Sequence, residues 1–322
     1  MYNIYRKMEK SENTIKTYNT MMKRLSKEMF KGKKVKEMHI EQYQQKILDY
    51  VDEMSSLNSR YAMIVAIIDY AKQIEDFDED VLDKYYTKMK SLRTEINKQQ
   101  EKELKKPKKK DTDKILTIEE IEKLKNKYHD KLTSEYSPVN DIRYVMFNLY
   151  SHPDLAPLRS QDYYNCKVVE NKDEMEKQTD NKEHNYFLLK EGLFIRNIGK
   201  TVKFYGTRMI TIPQSIIEVV RQFHDKSKSE WLVPNTMDKT QPMEQSHFTK
   251  LMQRGIQQEY GKKKKISSSM VRKIRVSTEI NKILKDYPQF EEANQRLKNL
   301  AADMGHGTIT QQLVYSRLRN NV

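Results

Sequence analysis

The sequence predicts a mainly α-helical protein carrying one small antiparallel β-sheet, an α+β class, and three observations lead there. Apolar residues recur every three or four positions through most of the first hundred residues, with no proline before Pro107. Short β-branched and aromatic runs separated by polar turns fill the stretch from Lys167 to Pro213. Between them Glu101 to Asp113 reads "EKELKKPKKKDTD", a charge run with nothing to bury. The 322 residues thus divide into a helical domain at 1–104, a basic linker at 105–116 and a second domain at 117–322.

In the first domain Ser11 caps a helix running to Met29, with Ile15, Tyr18, Met21, Met22 and Leu25 on one face. A second helix covers His39 to Asp52. The third starts at Ser56 and carries Tyr61, Ile64, Val65, Ile67, Ile68 and Ala71, the most apolar stretch of the chain and the predicted core of this domain. The fourth starts at Glu79 and runs into the charged segment. Basic residues crowd Arg6 to Lys36, which puts a positive face on the first helix and the turn after it.

The second domain opens on Thr117-Ile118-Glu119-Glu120, a capping box ahead of Ile121 and Leu124. A helix from Val139 to Tyr150 follows Pro138. Strands are read in "KVVE", "YFLLK", "LFIRN" and "MITIP", with an exposed acidic loop at Glu170 to Glu183. Helices resume at Gln214 to Phe223, Gln245 to Tyr260, Ser269 to Leu284 and Phe290 to Met304. Trp231 in "EWLVP" reads as a core residue.

Lys and Arg total 60 against 46 acidic residues, a formal charge of +14, so a polyanion is the expected partner and nucleic acid the leading one. A lysine-rich, AT-biased genome gives the same balance, so charge alone does not decide. Cys166 is the one cysteine, which excludes an internal disulfide framework or a thiolate metal cluster. The seven histidines lack ligand spacing, and none of the eight glycines falls in a nucleotide-binding pattern. No cofactor is expected. The start has no apolar signal region and no later run approaches a membrane span, so a soluble intracellular protein with no membrane partner is expected.

Four local sequences carry the chemistry. "LAPLRSQDYYNCKV" puts Arg159 just after a helix and just before the first strand, and "IGKTVKFYGTRMITIP" puts Lys200 at a hairpin turn. "SSSMVRKIRVST" puts Arg272 on the first turn of a helix, and "MGHGTITQQLVYSR" puts Tyr315 nine positions after His306. Taken singly each is ordinary: tyrosine occurs 20 times, and a lone arginine or lysine is usually a surface cation. In this order and setting they resemble the tyrosine recombinase family, the phage-integrase type of site-specific recombinase. The nearest flavour is similar to the integrases of large DNA viruses of eukaryotes, virophages and related mobile elements, where "PxRxxDY", "KT-K-YG" and "MGH" occur.

The resemblance implies a helical core-binding, DNA-binding domain followed by a catalytic domain. It also implies DNA cleavage and rejoining through a 3′-phosphotyrosyl intermediate, without metal or ATP. Arg159 and Arg272 match the family's two phosphate-binding arginines, whose planar forks suit a phosphate. Lys200 matches the lysine that protonates the leaving 5′ oxygen, with Lys203 on the same hairpin as the competing choice. His306 matches the residue that hydrogen-bonds the phosphate, and Tyr315 the nucleophile. Ser269 stands where the family usually has histidine, three residues before the second arginine, so what activates Tyr315 is in question. The implied partner is double-stranded DNA, bound as a homo-tetramer, with a monomer or weak oligomer when free. A viral protein of this kind acts in the host nucleus or a cytoplasmic viral factory. A type IB topoisomerase or a telomere resolvase uses the same chemistry, and Ser269 leaves room for a DNA-binding protein of recombinase descent that no longer cleaves.

Overall fold

A computed structural model describes residues 10, 12–105, 116–132, 137–200, 202, 206–261, 264, 266–287 and 290–304. The chain separates into two compact units, Met1–Lys106 and Pro107–Val322.

The first unit contains α1 (Glu12–Met29), α2 (Gln44–Glu53), α3 (Leu57–Ala71) and α4 (Glu79–Lys105), with a 3₁₀ turn at Val35–Glu37. Helix α3 is the hub. Met63, Ile64, Ile67 and Ala71 are fully buried and meet Leu25 of α1, Val51 of α2 and Tyr85 of α4. Ser56 caps α3 by accepting from Ser59 N at 3.4 Å. Two expectations change. The predicted second helix starts at Gln44 rather than His39, because residues 40–43 form turns. Ile15 continues the apolar face of α1 but is 46% exposed, since the packed stripe begins at Tyr18, one turn later. Lys16, Lys23, Arg24, Lys27, Lys31, Lys33 and Lys34 are exposed, which makes α1 and the turn after it a basic surface.

The second unit contains α5 (Ile118–Leu132), α6 (Pro138–Ser151), α7 (Ser160–Tyr164), β1 (Cys166–Val169), α8 (Lys172–Glu176), β2 (Asn185–Leu188), β3 (Leu193–Arg196), β4 (Arg208–Thr211), α9 (Gln214–Ser227), α10 (Gln245–Tyr260), α11 (Ser268–Asp286) and α12 (Phe290–Asp303). The capping box forms, Thr117 N donating to Glu120 Oε2 at 2.8 Å and Glu120 N to Thr117 Oγ1 at 3.3 Å. Pro138 opens α6, where its missing N–H has no intrahelical acceptor to lose. Every residue from Asp141 to Ser151 is buried, so α6 is the central helix, and α5, α9, α10 and α11 pack around it.

The α+β class stands, but the four-stranded sheet, in order β1-β2-β3-β4, is mixed rather than antiparallel throughout. β2, β3 and β4 pair antiparallel, whereas β1 pairs with β2 in parallel. Parallel neighbours need a long crossover, and the acidic stretch from Glu170 to Glu183 supplies it. That stretch is mostly exposed, as expected, but it folds into α8 and buries Met175. The sheet is covered on both faces, Val168, Phe187 and Phe194 facing the main core and Val169, Tyr186 and Ile195 facing the cluster under Met175. Trp231 is 6% exposed and bridges to Lys167 of β1.

Candidate active site

The segment from His152 to Arg159 links α6 to α7. Its two prolines, Pro153 and Pro157, remove N–H donors and prevent regular structure, so other groups must fix it. Tyr163 Oη accepts from Leu158 N at 2.9 Å, which sets the chain just before Arg159. Arg159 does not run straight from a helix into the first strand as expected: it is the N-cap residue of α7, which separates it from β1. Its N–H donates to Asp162 Oδ2 at 3.0 Å, and its carbonyl accepts from Asp162 N at 2.9 Å.

Asp162 then reaches the sheet. Its Oδ1 accepts from Arg196 Nε at 3.2 Å, while its carbonyl accepts from Asn185 Nδ2 at 2.9 Å. Asn185 in turn accepts from Ile198 N through Oδ1 at 2.9 Å. Burial raises the Asp162 carboxyl above the ordinary range, against the opposing pull of Arg196, Arg159 and Arg272. The helix of Arg159 and the turn after β3 are therefore joined through two buried polar links. Lys200 sits in that turn and is exposed.

Arg272 arrives from α11. Ser267 caps this helix, accepting from Met270 N at 3.4 Å, and the helix starts at Ser268. That is one residue earlier than expected and places Arg272 on the second turn rather than the first. Arg272 is 7% exposed. Its Nε donates to Pro157 O at 2.7 Å and its Nη2 to Met304 O at 3.4 Å. The last described residue, two positions before His306 in the sequence, is thus tied to the same guanidinium.

These elements enclose a pocket of about 180 Å³ lined by Tyr150, Arg159, Ser160, Gln161, Gln245, Ser269 and Arg272. It brings together Arg159, Ser269 and Arg272 from the sequence-predicted set. Lys200 is not among the lining residues, and His306, Tyr315 and Lys203 lie outside the described residues. The lining has two guanidinium groups, hydroxyls and carboxamides, and no carboxylate, a donor set suited to a phosphate-sized oxyanion.

Sequence reasoning missed Tyr150, Gln161 and Gln245 as lining residues and Asp162, Arg196 and Arg275 as supports. Tyr150 reads as an ordinary member of an apolar helix. Burial raises its hydroxyl well above the usual tyrosine range, with Arg272 and a hydrogen bond to Ser268 acting the other way. Asp162, three residues after the N-cap position, had a usable signal in the spacing of an acidic group that caps a helix. Among the described residues no group of three or more His, Cys, Asp or Glu side chains is placed to hold a metal ion. No described helix is long and apolar enough to cross a membrane.

No protein-family model matches the chain, and no curated protein matches it. Among solved structures the chain is similar to the crystal structure of XerA recombinase, with a TM-score of 0.43 and 14% identity over 97% of this chain and 91% of that one. At that distance the likeness carries no functional argument, and the functional reading rests on the site.

Proposed function

We propose that this chain cleaves and rejoins duplex DNA through a covalent 3′-phosphotyrosyl intermediate, as a site-specific recombinase or integrase. The observation that carries the reading is the meeting of Arg159 and Arg272, on elements far apart in sequence, in one pocket of phosphate size. Phosphoryl transfer asks the protein mainly for positioning and for cations on the non-bridging oxygens. The two arginines supply those cations. Tyr315 Oη gives up its proton to water and attacks phosphorus, the bond to the 5′ oxygen breaks, and Lys200 gives that oxygen a proton. The new ester keeps the energy of the old one until a 5′ hydroxyl attacks it and releases the tyrosine, so no nucleotide is consumed. His306 adds a hydrogen bond to the phosphate, and Ser269 at the pocket mouth adds another. The basic surface of α1 adds phosphate contacts, and the protein acts as a tetramer on DNA.

The test uses a duplex selected by the protein from a random pool, nicked so that the cleaved end diffuses away. Wild-type protein accumulates as a protein–DNA adduct resistant to denaturant, and binding weakens steeply with salt. A second reading draws on Ser269, a poor acid or base at neutral pH, in the place of the family's histidine: a protein that binds DNA and no longer cuts it. Tight binding with no adduct on any selected duplex favours that reading over the first.

A further inference from the structure

We infer that Arg275 is a positioning residue for the phosphate pocket, acting through the segment that carries Arg159; the inference rests on reading that pocket as the phosphate site. Arg275 lies three residues after Arg272 on α11, hence on the same helix face. It is 5% exposed and is not among the pocket-lining residues.

Two of its three guanidinium nitrogens hold backbone carbonyls and the third pairs with a carboxylate. Nε donates to His152 O at 3.1 Å, Nη2 donates to Pro153 O, and Nη1 pairs with Glu279 Oε2 at 2.9 Å. Arg272 takes the carbonyl of Pro157 from the same helix. Three carbonyls of the proline-interrupted segment before Arg159 are thus held by two arginines one turn apart. His152 is itself tied down, its Nε2 2.9 Å from Ser215 Oγ and its Nδ1 accepting from Asp154 N at 3.1 Å.

A buried guanidinium is costly unless its donors are satisfied, and an apolar side chain of similar volume fills such a space at least as well. What an apolar residue cannot do is fix the direction of two carbonyls at once. The planar fork can. Because Arg272 both holds the segment and lines the pocket, Arg275 sets the spacing between Arg272 and Arg159 without touching the substrate.

The test is a double-mutant cycle of Arg275→Gln with Arg159→Lys, read as the single-turnover rate of adduct formation on the nicked duplex. Arg275→Gln slows adduct formation about 10- to 100-fold, with DNA affinity within about 2-fold of wild type. In the Arg159→Lys background the same change costs less than about 3-fold. Equal losses in both backgrounds, or a loss of DNA affinity in step with rate, overturn the inference. The same cycle is run with inorganic phosphate on the free protein, followed by NMR of the arginine side chains. Arg275→Gln weakens phosphate binding, and does so far less once Arg159 is lysine. Phosphate binding indifferent to Arg275 overturns the inference. If wild-type protein forms no adduct, the proposed function fails while the phosphate cycle still decides the role of Arg275. Arg275→Lys keeps the buried cation, reaches fewer carbonyls and is read by the same criteria if the glutamine variant does not fold.

Discussion

Arg196 donates its Nε–H to Oδ1 of Asp162 at 3.2 Å, with the two side chains 2% and 1% exposed. One partner sits at the end of β3, the other on the helix that Arg159 caps. A buried pair of this kind adds little stability compared with an apolar pair, but breaking it strands a charge. Its value here is geometric, because it sets the sheet and its Lys200 turn against the first arginine of the pocket.

Arg196→Met strands Asp162 and lowers the free energy of unfolding by about 3–5 kcal/mol at neutral pH. The sign of the pH dependence follows from the carboxyl. Asp162 already has its folded pKa raised by burial, and losing its principal cation raises it further. A carboxyl raised in the folded state destabilises above that pKa and stops doing so once both states are protonated. Urea unfolding should therefore show the deficit of the variant shrinking as pH falls. A deficit that grows toward acid contradicts the assignment.

Gly199 lies against this pair. It has φ +147°, and a Cβ there meets Asp162 Oδ1 at 2.5 Å and Arg196 Nε at 3.1 Å. Gly199→Ala is expected to cost about 1–3 kcal/mol in strain and displaced contact. It should slow DNA cleavage more than it weakens DNA binding, because Lys200 is the next residue. Circular dichroism melts and the adduct assay measure the two effects separately.

Arginine in the pocket is expected not to be replaceable by lysine. Arg159→Lys and Arg272→Lys keep the charge but lose the planar fork, and each is expected to slow adduct formation by about 10²–10³-fold. Arg272→Lys should also lower the melting temperature, since it gives up the bond to Pro157 O. Rates within a few fold of wild type for both variants remove the pocket from the chemistry.

Ser269 is exposed on the first turn of α11, so a larger side chain fits there. Ser269→His supplies an acid–base group and is expected to raise the cleavage rate by up to about 100-fold. A new inflection in the rate should appear near about pH 6.5, with the gain on the alkaline side if the imidazole takes the tyrosine proton. An unchanged pH profile shows that this position does not face the reacting groups.

The longer helices were legible because each depends on local signals, whereas the five-residue α7 and α8 were not read from the sequence. Thr117–Glu120 act as a capping box, and the apolar spacing from Gln245 to Tyr260 marks α10. The parallel pairing of β1 with β2 was not, since four-residue strands hold no trace of which neighbour they will meet. Ile15 misled for a related reason: a periodic face shows what is apolar, not how far the partner helix extends. Arg196 and Arg275 look like surface cations in sequence, and only the tertiary fold reveals that their partners are a buried carboxylate and two proline-flanked carbonyls. The meeting of Arg159, Ser269 and Arg272 depends on α6, α7 and α11 packing together, which spacing alone does not give. The expectations placed on His306 and Tyr315 fall outside the described residues.

The most direct measurement is to trap the protein on its selected, nicked duplex, digest the adduct and identify the modified peptide by mass spectrometry. The account predicts a nucleotide on Tyr315, loss of the adduct in Tyr315→Phe, and DNA affinity unchanged in that variant. An adduct that persists in Tyr315→Phe, or maps to another tyrosine such as Tyr150, contradicts the central claim.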